Sequence, residues 1–380
     1  MQPVNTVFLI LLILLLGACA KDEKYVEASS PYCQSNMVKN QYIVHWKKQE
    51  PTLVVEKNLK KFISLNNDEI NFIEPNYTIF AKFVKKQEEE PVIPSIGSPE
   101  SATAVYDMIH VRSAWYRGFF GQGLTVAVVD TGIDQKHPSL RRRLVAGWNF
   151  ISDVADSRDE TGHGTAMAGI ITGPYLNNSS LSIAPDVKIM PIDFMTDQGG
   201  SEYHAELALS YAISHQAKII NNSWTVSCSE LLRSSFVKWA SENVIFINSS
   251  GNEPVDVISH GILPASLSLN NHVHVGSLDD RGHRSNFSGF GSTVLIYAPG
   301  ELVPSFAQSD SGSRSVRISG TSASTAIVSA AAALLWSAFP QATASEIVSL
   351  LVDGAQQEPT VEPTLNIQQS LRLGRERFPD

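Results

Sequence analysis

Three short segments of the chain each place a chemically reactive side chain beside glycine. Asp130 ends an apolar run and precedes Thr-Gly, His163 stands between two glycines, and Ser322 follows Gly-Thr. A carboxylate can fix the tautomer of an imidazole, the imidazole can take the proton of a hydroxyl, and the hydroxyl oxygen can then attack a carbonyl carbon. Together the three side chains predict nucleophilic acyl transfer, provided that the fold brings them to one place.

The elements around these residues are of the kind that would position them. The apolar run 124–129 predicts a buried strand that presents Asp130 at its carboxyl end, the edge of an open α/β sheet where ligands bind. The small residues after His163 predict a tightly packed helix. The alanine-rich run from Ser322 to Trp336 predicts a long buried helix whose first turn holds Ser322, where free backbone N–H groups favour developing negative charge.

Beyond residue 105, short apolar strands alternate with helical patterns. Strands are predicted at 124–129, 188–194, 218–221, 244–248 and 272–276, and helices at 201–215 and 229–243. The strands are apolar along most of their length, as in strands that are buried on both faces. This alternation predicts an α/β domain with a mostly parallel sheet, which we assign to residues 105–375.

A smaller unit precedes that domain. A strand is predicted at 41–46, a helix at 53–65 and strands at 70–83 around a turn at Pro75-Asn76, so that residues 41–85 form a small α+β unit. Residues 85–101 then carry Lys-Lys, Glu-Glu-Glu and three prolines, a composition that does not pack. We therefore predict an exposed linker at 86–104 in which the chain is cleaved.

The amino terminus has the features of an export signal. The first eighteen residues carry no charged side chain. Their apolar run at 7–16 would span about 15 Å as a helix, against a hydrocarbon core of about 30 Å. Residues 1–18 are therefore predicted to be a signal peptide and not a membrane span. They end in Leu-Gly-Ala before Cys19, which resembles a bacterial lipobox and implies that Cys19 is acylated.

An acylated Cys19 would anchor the protein to a membrane of the bacterial cell envelope, with residues 19–40 as a tether. Ala20, in place of an acidic residue after the cysteine, fits the outer membrane of a Gram-negative cell. A plain secretory signal with a chance cysteine is the alternative. The other two cysteines, Cys33 and Cys228, are expected to be free thiols, with a disulfide between them as the alternative.

The composition excludes some other functions. The chain has 380 residues, of which 43% are hydrophobic, so it can bury a large core. Its 38 acids and 29 bases give a net charge of −9, with no basic stripe that would neutralise a phosphate backbone, so nucleic acid is not an expected partner. No Cys or His cluster has the spacing of a zinc site, and no serine stands in Gly-x-Ser-x-Gly, which argues against a lipase.

The three reactive segments match the signature blocks of one family. Asp-Thr-Gly-Ile-Asp, Gly-His-Gly-Thr and Gly-Thr-Ser resemble, in order and in separation, the blocks of the subtilisin-like serine peptidases. The resemblance implies a subtilisin-like three-layer α/β fold. It also implies a serine endopeptidase that acts on polypeptide substrates, with Asp130, His163 and Ser322 as its catalytic triad.

Further blocks extend the resemblance. The residues that correspond to the family's substrate-binding segments are Ser223, Trp224, Thr225, Ser249, Ser250 and Gly251. The next residue, Asn252, corresponds to the asparagine that binds the oxyanion. Upstream, Tyr-Ile-Val at 42–44 and Ile-Glu-Pro-Asn-Tyr at 73–77 resemble strands of the family's inhibitory propeptide. The resemblance therefore implies that residues 41–85 fold onto the enzyme as its own inhibitor.

The chain departs from the family pattern at several positions. Ser322 is followed by Ala-Ser-Thr-Ala instead of the usual Met-Ala-Ser/Thr-Pro, which keeps open an alternative, a catalytically silent lipoprotein that binds peptides or proteins. Thr225 stands where glycine is common and is expected to narrow or reshape the specificity pocket. His-Pro-Ser-Leu at 137–140 lacks the aspartate through which many relatives bind calcium. A tight calcium site is therefore not expected there, and we assign no cofactor and no metal ligand.

Overall fold

A computed structural model of the protein describes residues 36–81, 83–88, 99–174, 180–308, 314–358 and 361–379. The largest sheet in these ranges has nine strands, in the order β18 (Gln356–Glu358), β19 (Val361–Thr364), β15 (Val294–Pro299), β14 (His272–Leu278), β12 (Ile245–Ser249), β10 (Ile219–Asn222), β5 (Thr125–Asp130), β7 (Lys188–Asp193) and β6 (Trp148–Asn149). Every neighbouring pair is parallel except β18 with β19. The prediction of an α/β domain with a mostly parallel sheet is confirmed.

The described helices follow the strands along the chain. They are α1 (Leu59–Asn66), α2 (Pro99–Met108), α3 (Arg112–Trp115), α4 (His163–Ile171), α5 (Glu202–Ser214), α6 (Glu230–Lys238), α7 (Thr321–Ala338), α8 (Ala344–Gly354) and α9 (Ile367–Arg377), with a 3₁₀ turn at Trp239–Ser241. Helix α7 is buried from Thr321 to Trp336. Its length and composition alone would let it cross a membrane, but 89% of its most apolar window is buried inside the protein, as in a core helix.

The central strand β5 shows why the domain has three layers. Val126 and Val128 belong to the apolar core on one face of the sheet, together with the alanines of α7. Ala127 and Val129 alternate with them and belong to a second core on the other face. Because successive residues of a strand point to opposite faces, both faces of the sheet are covered, which is why the strand is apolar throughout.

The small unit before this domain has the predicted α+β character. Its strands β1 (Met37–Trp46), β2 (Thr52–Val55) and β3 (Ile70–Ile79) form an antiparallel sheet in the order β2-β1-β3. Ile63 of helix α1 packs with Val44, Ile70 and Ile73 in a separate small core. The sheet continues into the larger domain through β9 (Gly199–Ser201) and β8 (Met195–Thr196).

One predicted helix in this unit is partly a strand. The apolar spacing at 53–65 predicts a helix, but residues 52–55 form β2, where Val54 pairs with Tyr42 of β1. The helix begins only after Asn58, whose side chain accepts a hydrogen bond from the backbone N–H of Lys61. The short run Leu-Val-Val fits either structure, and pairing with β1 decides for the strand.

The predicted turn at Pro75-Asn76 is also wrong. Pro75 lies inside β3, opposite Tyr42 of β1. A proline cannot donate a hydrogen bond to a neighbouring strand and is tolerated where an edge has no partner. On the far side of β3 the described pairing with β9 involves only Thr78 and Ile79. The missing N–H of Pro75 therefore does not interrupt the hydrogen bonds between β3 and β9.

The segments predicted as tether and linker are ordered where the structure describes them. Strand β1 begins at Met37, inside the predicted tether at 19–40. Strand β4 (Lys85–Glu88) pairs with β17 (Arg314–Ser319), which also pairs with β16 (Val303–Ala307). Helix α2 covers the end of the linker predicted at 86–104. The composition of that linker therefore does not prevent secondary structure at its two ends. Residues 1–35, with Cys19, and 89–98 lie outside the described ranges.

Cys228, which follows β11 (Val226–Ser227), is disulfide-bonded. Its partner lies outside the described residues. The expectation of a free thiol at this position is therefore wrong. Three cysteines without a repeated spacing give no pattern from which pairing can be predicted. Strand β11 itself pairs with β13 (Ile262–Leu263).

Candidate active site

Asp130 and His163 form a buried pair at the carboxyl end of the sheet. Asp130 is the last residue of β5 and His163 is the first of α4, and Asp130 Oδ1 lies 2.7 Å from Nδ1 of His163. Both side chains are buried. Asp130 Oδ1 also accepts a hydrogen bond of 2.8 Å from the backbone N–H of Thr131. The carboxylate thus favours the proton on Nδ1 and leaves Nε2 as the nitrogen that can accept one.

The close packing around this pair requires glycine. Gly162 precedes α4 with a φ of 90°, in the left-handed region. Gly164 packs so tightly on Gly132 that a Cβ at position 164 would lie 2.0 Å from the Gly132 carbonyl oxygen. A larger residue at position 164 would therefore push His163 away from Asp130.

A second carboxylate, Asp159, holds the His163 turn in place and was not predicted from the sequence. Its Oδ1 accepts hydrogen bonds from Thr131 Oγ1 at 2.9 Å and from the backbone N–H of Gly162 at 2.8 Å. Its Oδ2 accepts from the backbone N–H and the hydroxyl of Thr165, at 2.9 and 2.6 Å. Asp159 thus ties the segment after Asp130 to both sides of His163. The only sequence signal is an acidic residue three positions before Gly162, which is not distinctive.

The surroundings of His163 raise its pKa above the ordinary value. Burial disfavours the charged imidazolium, but the negative charge and hydrogen bond of Asp130, together with the charge of Asp159, outweigh burial. A histidine that acts as a base must be neutral before it takes a proton. The raised pKa therefore moves the loss of activity on acidification to higher pH.

We expect the acid limb of kcat/KM to titrate above pH ~6.5, the ordinary histidine value. Asp159→Asn removes one negative charge and should move that limb to lower pH, whatever its effect on the maximal rate. The measurement is kcat/KM for an uncharged peptide substrate between about pH 5 and 9. Asp353→Asn, at an exposed carboxylate of α8, is the control. A limb at the same pH in Asp159→Asn and wild type would contradict the electrostatic account.

Ser322 lies in the first turn of α7, after Gly320. Its Oγ donates a hydrogen bond of 3.1 Å to the backbone oxygen of Ser223, and Ser223 Oγ donates one of 3.2 Å to the backbone oxygen of Ser322. This reciprocal pair fixes the amino end of α7 against the segment that follows β10. Within the described part of the chain, Nε2 of His163 has no hydrogen-bond partner.

The departure from the family pattern after Ser322 leaves the helix intact. Ser324 donates to the carbonyl oxygens of Ala298 and Pro299, at 2.9 and 3.1 Å, and ties α7 to the end of β15. Thr325 Oγ1 donates to the carbonyl oxygen of Thr321 at 2.8 Å. Hydrogen bonds therefore hold the turn in which the family's proline is replaced.

Asn252 stands beside the same turn. Its Oδ1 accepts hydrogen bonds from the backbone N–H and the hydroxyl of Thr321, both at 2.8 Å. A Cβ on Gly320 would lie 3.2 Å from Asn252 Nδ2, so glycine makes room for this amide. Because the oxygen is held by Thr321, the NH₂ group is the side of the amide that can serve a ligand.

The residues predicted to bind substrate border one cleft of about 560 Å³, which also contains Ser322 and Asn252. They are Ser223, Trp224, Thr225, Ser249, Ser250 and Gly251. Trp224 differs from the others, because its indole is buried and donates to the carbonyl oxygen of Val129 at 3.0 Å. Its side chain therefore serves the core.

Thr225 and Gly251 face each other across this cleft. Cγ2 and Oγ1 of Thr225 are 3.7 and 3.8 Å from the position that a Cβ on Gly251 would take. A glycine at position 225 would leave that space open. The threonine thus occupies part of the space between positions 225 and 251 of the cleft.

Thr225→Gly is expected to shift preference toward large side chains at the residue before the scissile bond. A few added or removed atoms in such a pocket are worth roughly 1–3 kcal/mol, so the ratio of kcat/KM for phenylalanine over alanine should rise about 10- to 200-fold. Thr225→Ser, which removes only the methyl group, should give a smaller rise. Unchanged ratios in both variants would show that Thr225 does not limit the pocket.

A segment of the chain itself crosses the cleft. Phe80 forms an antiparallel bridge with Thr225. The ring of Phe83 lies 4.7 Å from the ring of His163, centroid to centroid. Further on, the backbone N–H of Val84 donates to the carbonyl oxygen of Ser319 at 2.9 Å. The small unit thus continues into the cleft as an added strand, the arrangement in which extended peptides are often recognised.

A buried carboxylate makes a second contact between the small unit and the larger domain. Glu74 of β3 accepts hydrogen bonds from the backbone N–H groups of Glu230 and Leu231, both at 2.8 Å. His45 Nε2 lies 2.8 Å from the same carboxylate, and Glu74 is 1% exposed. The two backbone donors belong to the first turn of α6, so Glu74 satisfies free N–H groups where the helix dipole favours a negative charge.

Glu202 lies beside this contact. It is the first residue of α5, and its Oε1 accepts a hydrogen bond of 3.2 Å from the backbone N–H of Tyr77 in β3. Burial, followed by the charge of Glu74, raises the pKa of Glu202 well above its ordinary value. The carboxyl groups of Glu74 and Glu202 therefore both lie in the buried contact between the small unit and the larger domain.

Among the residues that the structure describes, no group of three or more His, Cys, Asp or Glu side chains is arranged to hold a metal ion. The expectation that no tight calcium site exists near residues 137–140 stays a prediction, because parts of the chain lie outside the described ranges.

Comparison with known proteins identifies the family. The model of the Subtilase family matches residues 121–370. The chain is 33% identical over 277 residues to the thermostable alkaline protease of Halalkalibacterium halodurans, which covers 70% of this chain and 73% of that protein. It is 31% identical over 219 residues to thermitase of Thermoactinomyces vulgaris, which covers 57% and 75%. The crystal structure of a cold adapted subtilisin-like serine proteinase matches with a TM-score of 0.59 at 30% identity, covering 65% of this chain and 90% of that one.

The matched residues include the Asp130–His163 pair, Ser322 and the six residues predicted to bind substrate. The subtilisin-like α/β fold expected from the resemblance is confirmed. The chain belongs to the subtilase family and is a serine endopeptidase of the subtilisin type.

Proposed function

We propose that Asp130, His163 and Ser322 are the catalytic triad and that peptide bonds are hydrolysed through an acyl-enzyme. The observation that carries this proposal is the buried pair of Asp130 and His163, 2.7 Å apart, beside the cleft that contains Ser322. His163 Nε2 takes the hydroxyl proton as Ser322 Oγ attacks the substrate carbonyl, and returns it to the leaving amine. Water then repeats the sequence and releases the acyl group. Asp130 orients the imidazole and stabilises its cation.

We propose further that the Asn252 amide and the backbone N–H of Ser322 bind the oxyanion. The fixed Oδ1 of Asn252 supports this role, since it leaves the NH₂ group as donor. The position of Ser322 at the amino end of α7 supports it too, because the helix dipole favours negative charge there. Removing such a donor lowers kcat by about 10²- to 10³-fold, a value measured on subtilisin itself.

Covalent labelling with a fluorophosphonate tests the triad, because only an activated serine reacts. After incubation that permits processing, wild type is expected to label and Ser322→Ala to remain unlabelled. Ser337→Ala removes a hydroxyl at the far end of the same helix, so it should label like wild type. No label on folded wild type, together with no peptide hydrolysis, would support the alternative, a catalytically silent lipoprotein that binds peptides or proteins.

Residues 41–85 are, in our proposal, a propeptide that folds with the enzyme, inhibits it and is cut off by the enzyme's own active site. The occupied cleft and the capping of α6 by Glu74 support this proposal. At 45 residues the unit is too small to bury a core that would make it stable alone. The alternative is a permanent spacer. Equal lengths of active wild type and Ser322→Ala protein would support the spacer.

We also propose that the protein is exported and anchored in the bacterial cell envelope through lipid on Cys19, at the outer membrane in a Gram-negative cell. The support comes from the sequence: an uncharged signal peptide that ends in Leu-Gly-Ala before the cysteine. Cys228 is disulfide-bonded, and the other two cysteines both precede residue 41. A disulfide within the chain would therefore keep the catalytic domain joined to the anchor after cleavage.

Cys19→Ser is expected to move nearly all of the protein from the membrane fraction to the soluble fraction. Each buried CH₂ of an acyl chain contributes about 0.8 kcal/mol to membrane binding, and the substitution removes the attachment point for all of them. The measurement is the partition of the protein after cell fractionation. Both variants are made on Ser322→Ala, which does not cut itself, so that Cys33→Ser is the matched control and should remain with the membrane. Equal partition of the two variants would reject lipidation at Cys19.

A further inference from the structure

The edge of the central sheet that lies opposite the candidate active site carries basic side chains. Strands β5, β7 and β10 are parallel, so their amino ends meet at one edge and their carboxyl ends, with Asp130, at the other. The basic residues at or near the amino-terminal edge come from several segments of the chain: Arg117, Arg141, Arg142, Lys188, Lys218 and Arg375. The chain as a whole has a net charge of −9, so the fold gathers much of its positive charge at this edge.

Hydrogen bonds place these residues beside one another. Lys188 is the first residue of β7, and its Nζ donates to the backbone oxygen of Arg142 at 3.0 Å. The backbone N–H of Lys188 donates to the oxygen of Leu124, just before β5, at 3.0 Å. The backbone N–H of Lys218, just before β10, donates to the oxygen of Thr125 at 3.1 Å. Basic residues from the segments that lead into β6, β7 and β10 therefore share one surface.

A cavity of about 760 Å³ continues this surface, and Arg117 and Arg375 both line it. Its apolar walls include Phe119, Phe339, Pro340 and Phe378. Phe120 connects the cavity to the start of β7, because its backbone oxygen accepts a hydrogen bond of 2.9 Å from the N–H of Asp186. Two guanidinium groups can bind a phosphate, and apolar walls can hold the carbon chains that are attached to it.

The acidic side chains near this edge leave an excess of positive charge. Asp186 pairs with Arg143, whose Nη2 lies 3.0 Å from Asp186 Oδ1. Glu376 pairs with Arg372. Glu242, which precedes β12, is exposed. Between described residues, no ion pair involves the four exposed arginines of this edge, which are Arg117, Arg141, Arg142 and Arg375.

An aromatic ring stands in solvent beside these arginines. Tyr116 follows α3, directly precedes Arg117 and is 84% exposed. Tyrosine rings are enriched where lipid meets water, because the ring is apolar and the hydroxyl is polar. Basic side chains are attracted to anionic lipid headgroups. An exposed tyrosine and a cavity with apolar walls among basic residues therefore fit a lipid surface better than a nucleic acid, whose backbone offers only charge.

We propose that this edge docks the catalytic domain on an anionic lipid surface, with Arg117 and Arg375 binding a phosphate headgroup. The cleft, at the carboxyl ends of the strands, then opens away from the membrane. Charge contacts of this kind are weak and reversible, so they orient a protein that a lipid anchor already holds and do not survive cell fractionation. The inference concerns the proposed membrane location, but it does not depend on lipid at Cys19.

Sedimentation with lipid vesicles tests the proposal. The protein is residues 20–380 with Ser322→Ala, which keeps every described range, lacks the signal peptide and the lipid site, and does not cut itself. The vesicles contain phosphatidylcholine alone or equal parts of phosphatidylcholine and phosphatidylglycerol. At low ionic strength, binding is expected only to the vesicles with phosphatidylglycerol, and added salt should weaken it. Equal binding to both kinds of vesicle, or binding to neither, would overturn the proposal.

Matched triple variants locate the docking surface. Arg117→Gln, Arg142→Gln and Arg375→Gln together should weaken binding to these anionic vesicles about 100-fold, because each basic residue near an anionic surface contributes about fivefold. The control replaces three exposed lysines of the small unit and removes the same charge: Lys57→Gln, Lys60→Gln and Lys61→Gln. It should bind like the parent protein. Equal losses in the two triple variants would show that only net charge matters and would overturn the assignment of this face.

Two further measurements exclude misfolding and a different partner. The arginine triple variant with Ser322 restored should keep the kcat/KM of wild type for a soluble peptide. If it does not, the three single arginine variants, each expected to weaken binding about fivefold, decide the assignment, and unchanged binding in all three would overturn it. Binding of a DNA duplex as tight as that of the anionic vesicles, and lost in the arginine triple variant, would overturn the proposal in favour of a nucleic acid.

Discussion

Replacing His163 or Ser322 with alanine is expected to lower kcat for peptide hydrolysis on the order of 10⁶-fold, the loss found for the triad of subtilisin. Without His163 the Ser322 hydroxyl has no base, and without Ser322 the carbonyl has no nucleophile. Asp130→Asn should cost about 10⁴-fold, because the imidazole would be held in the wrong tautomer. The double variant His163→Ala with Ser322→Ala should lose no more than either single one, since the residues act as a unit.

Such variants do not process themselves, so each is converted by immobilised wild type, which is removed before kcat is measured. Ser337→Ala, at the far end of the same helix, is the control and should keep ordinary turnover. General-base catalysis contributes roughly 10²-fold or more. His163→Ala with more than about a tenth of wild-type turnover would therefore contradict the role of His163 as the base.

Glu74→Ala is expected to loosen the small unit from the catalytic domain by about 10²-fold or more. Hydrogen bonds to a charged group are worth about 1.5–3 kcal/mol each, and the substitution leaves two backbone N–H groups of α6 without this acceptor. The measurement uses Ser322→Ala precursor, which cannot cut itself. The rate at which a second protease digests the small unit from this protein reports how often the contact opens.

Glu69→Ala is the matched control, because Glu69 lies in the same unit and is exposed. Glu74→Gln keeps one acceptor oxygen without the charge and should fall between wild type and Glu74→Ala. Equal digestion rates for Glu74→Ala and Glu69→Ala would show that the Glu74 contact does not hold the unit in place.

Four described strands of the large sheet, β6, β15, β18 and β19, were not predicted from the sequence. The other five could be predicted to within two residues, as β5 and β14 show against the predicted 124–129 and 272–276. Each is a short apolar run that must be buried on both faces, and few other structures satisfy that requirement. The elements that carry Asp130, His163 and Ser322 were equally predictable. Their neighbouring glycines mark places where backbones approach closely, as Gly164 and Gly132 do.

Elements that depend on a distant partner could not be predicted. The apolar residues of Thr52–Val55 fit a helix or a strand, and only the neighbouring β1 decides. Lys85–Glu88 is charged throughout apart from one glutamine, yet it forms a strand because β17 offers its backbone groups. In both cases the deciding interaction lies outside the segment itself.

Asp159 and Phe83 could not be predicted as residues of the site for the same reason. Asp159 is one acid among many in the sequence, and its role comes from the donors of Thr131, Gly162 and Thr165 that the fold collects around it. Phe83 ends the segment predicted as strands at 70–83, and nothing in that pattern indicates its contact with His163, which exists because the chain runs through the cleft. No local pattern contains this information.

The buried contact between Glu202 and Tyr77 makes the hold of the small unit dependent on protons. Burial and the charge of Glu74 raise the pKa of Glu202 while the unit is bound, so the bound state keeps a proton that the separated state gives up above pH ~4.3, the ordinary glutamate value. Between that value and the raised pKa, each rise in pH favours separation. A higher pH would thus weaken the hold of the small unit on the catalytic domain, and a lower pH would strengthen it.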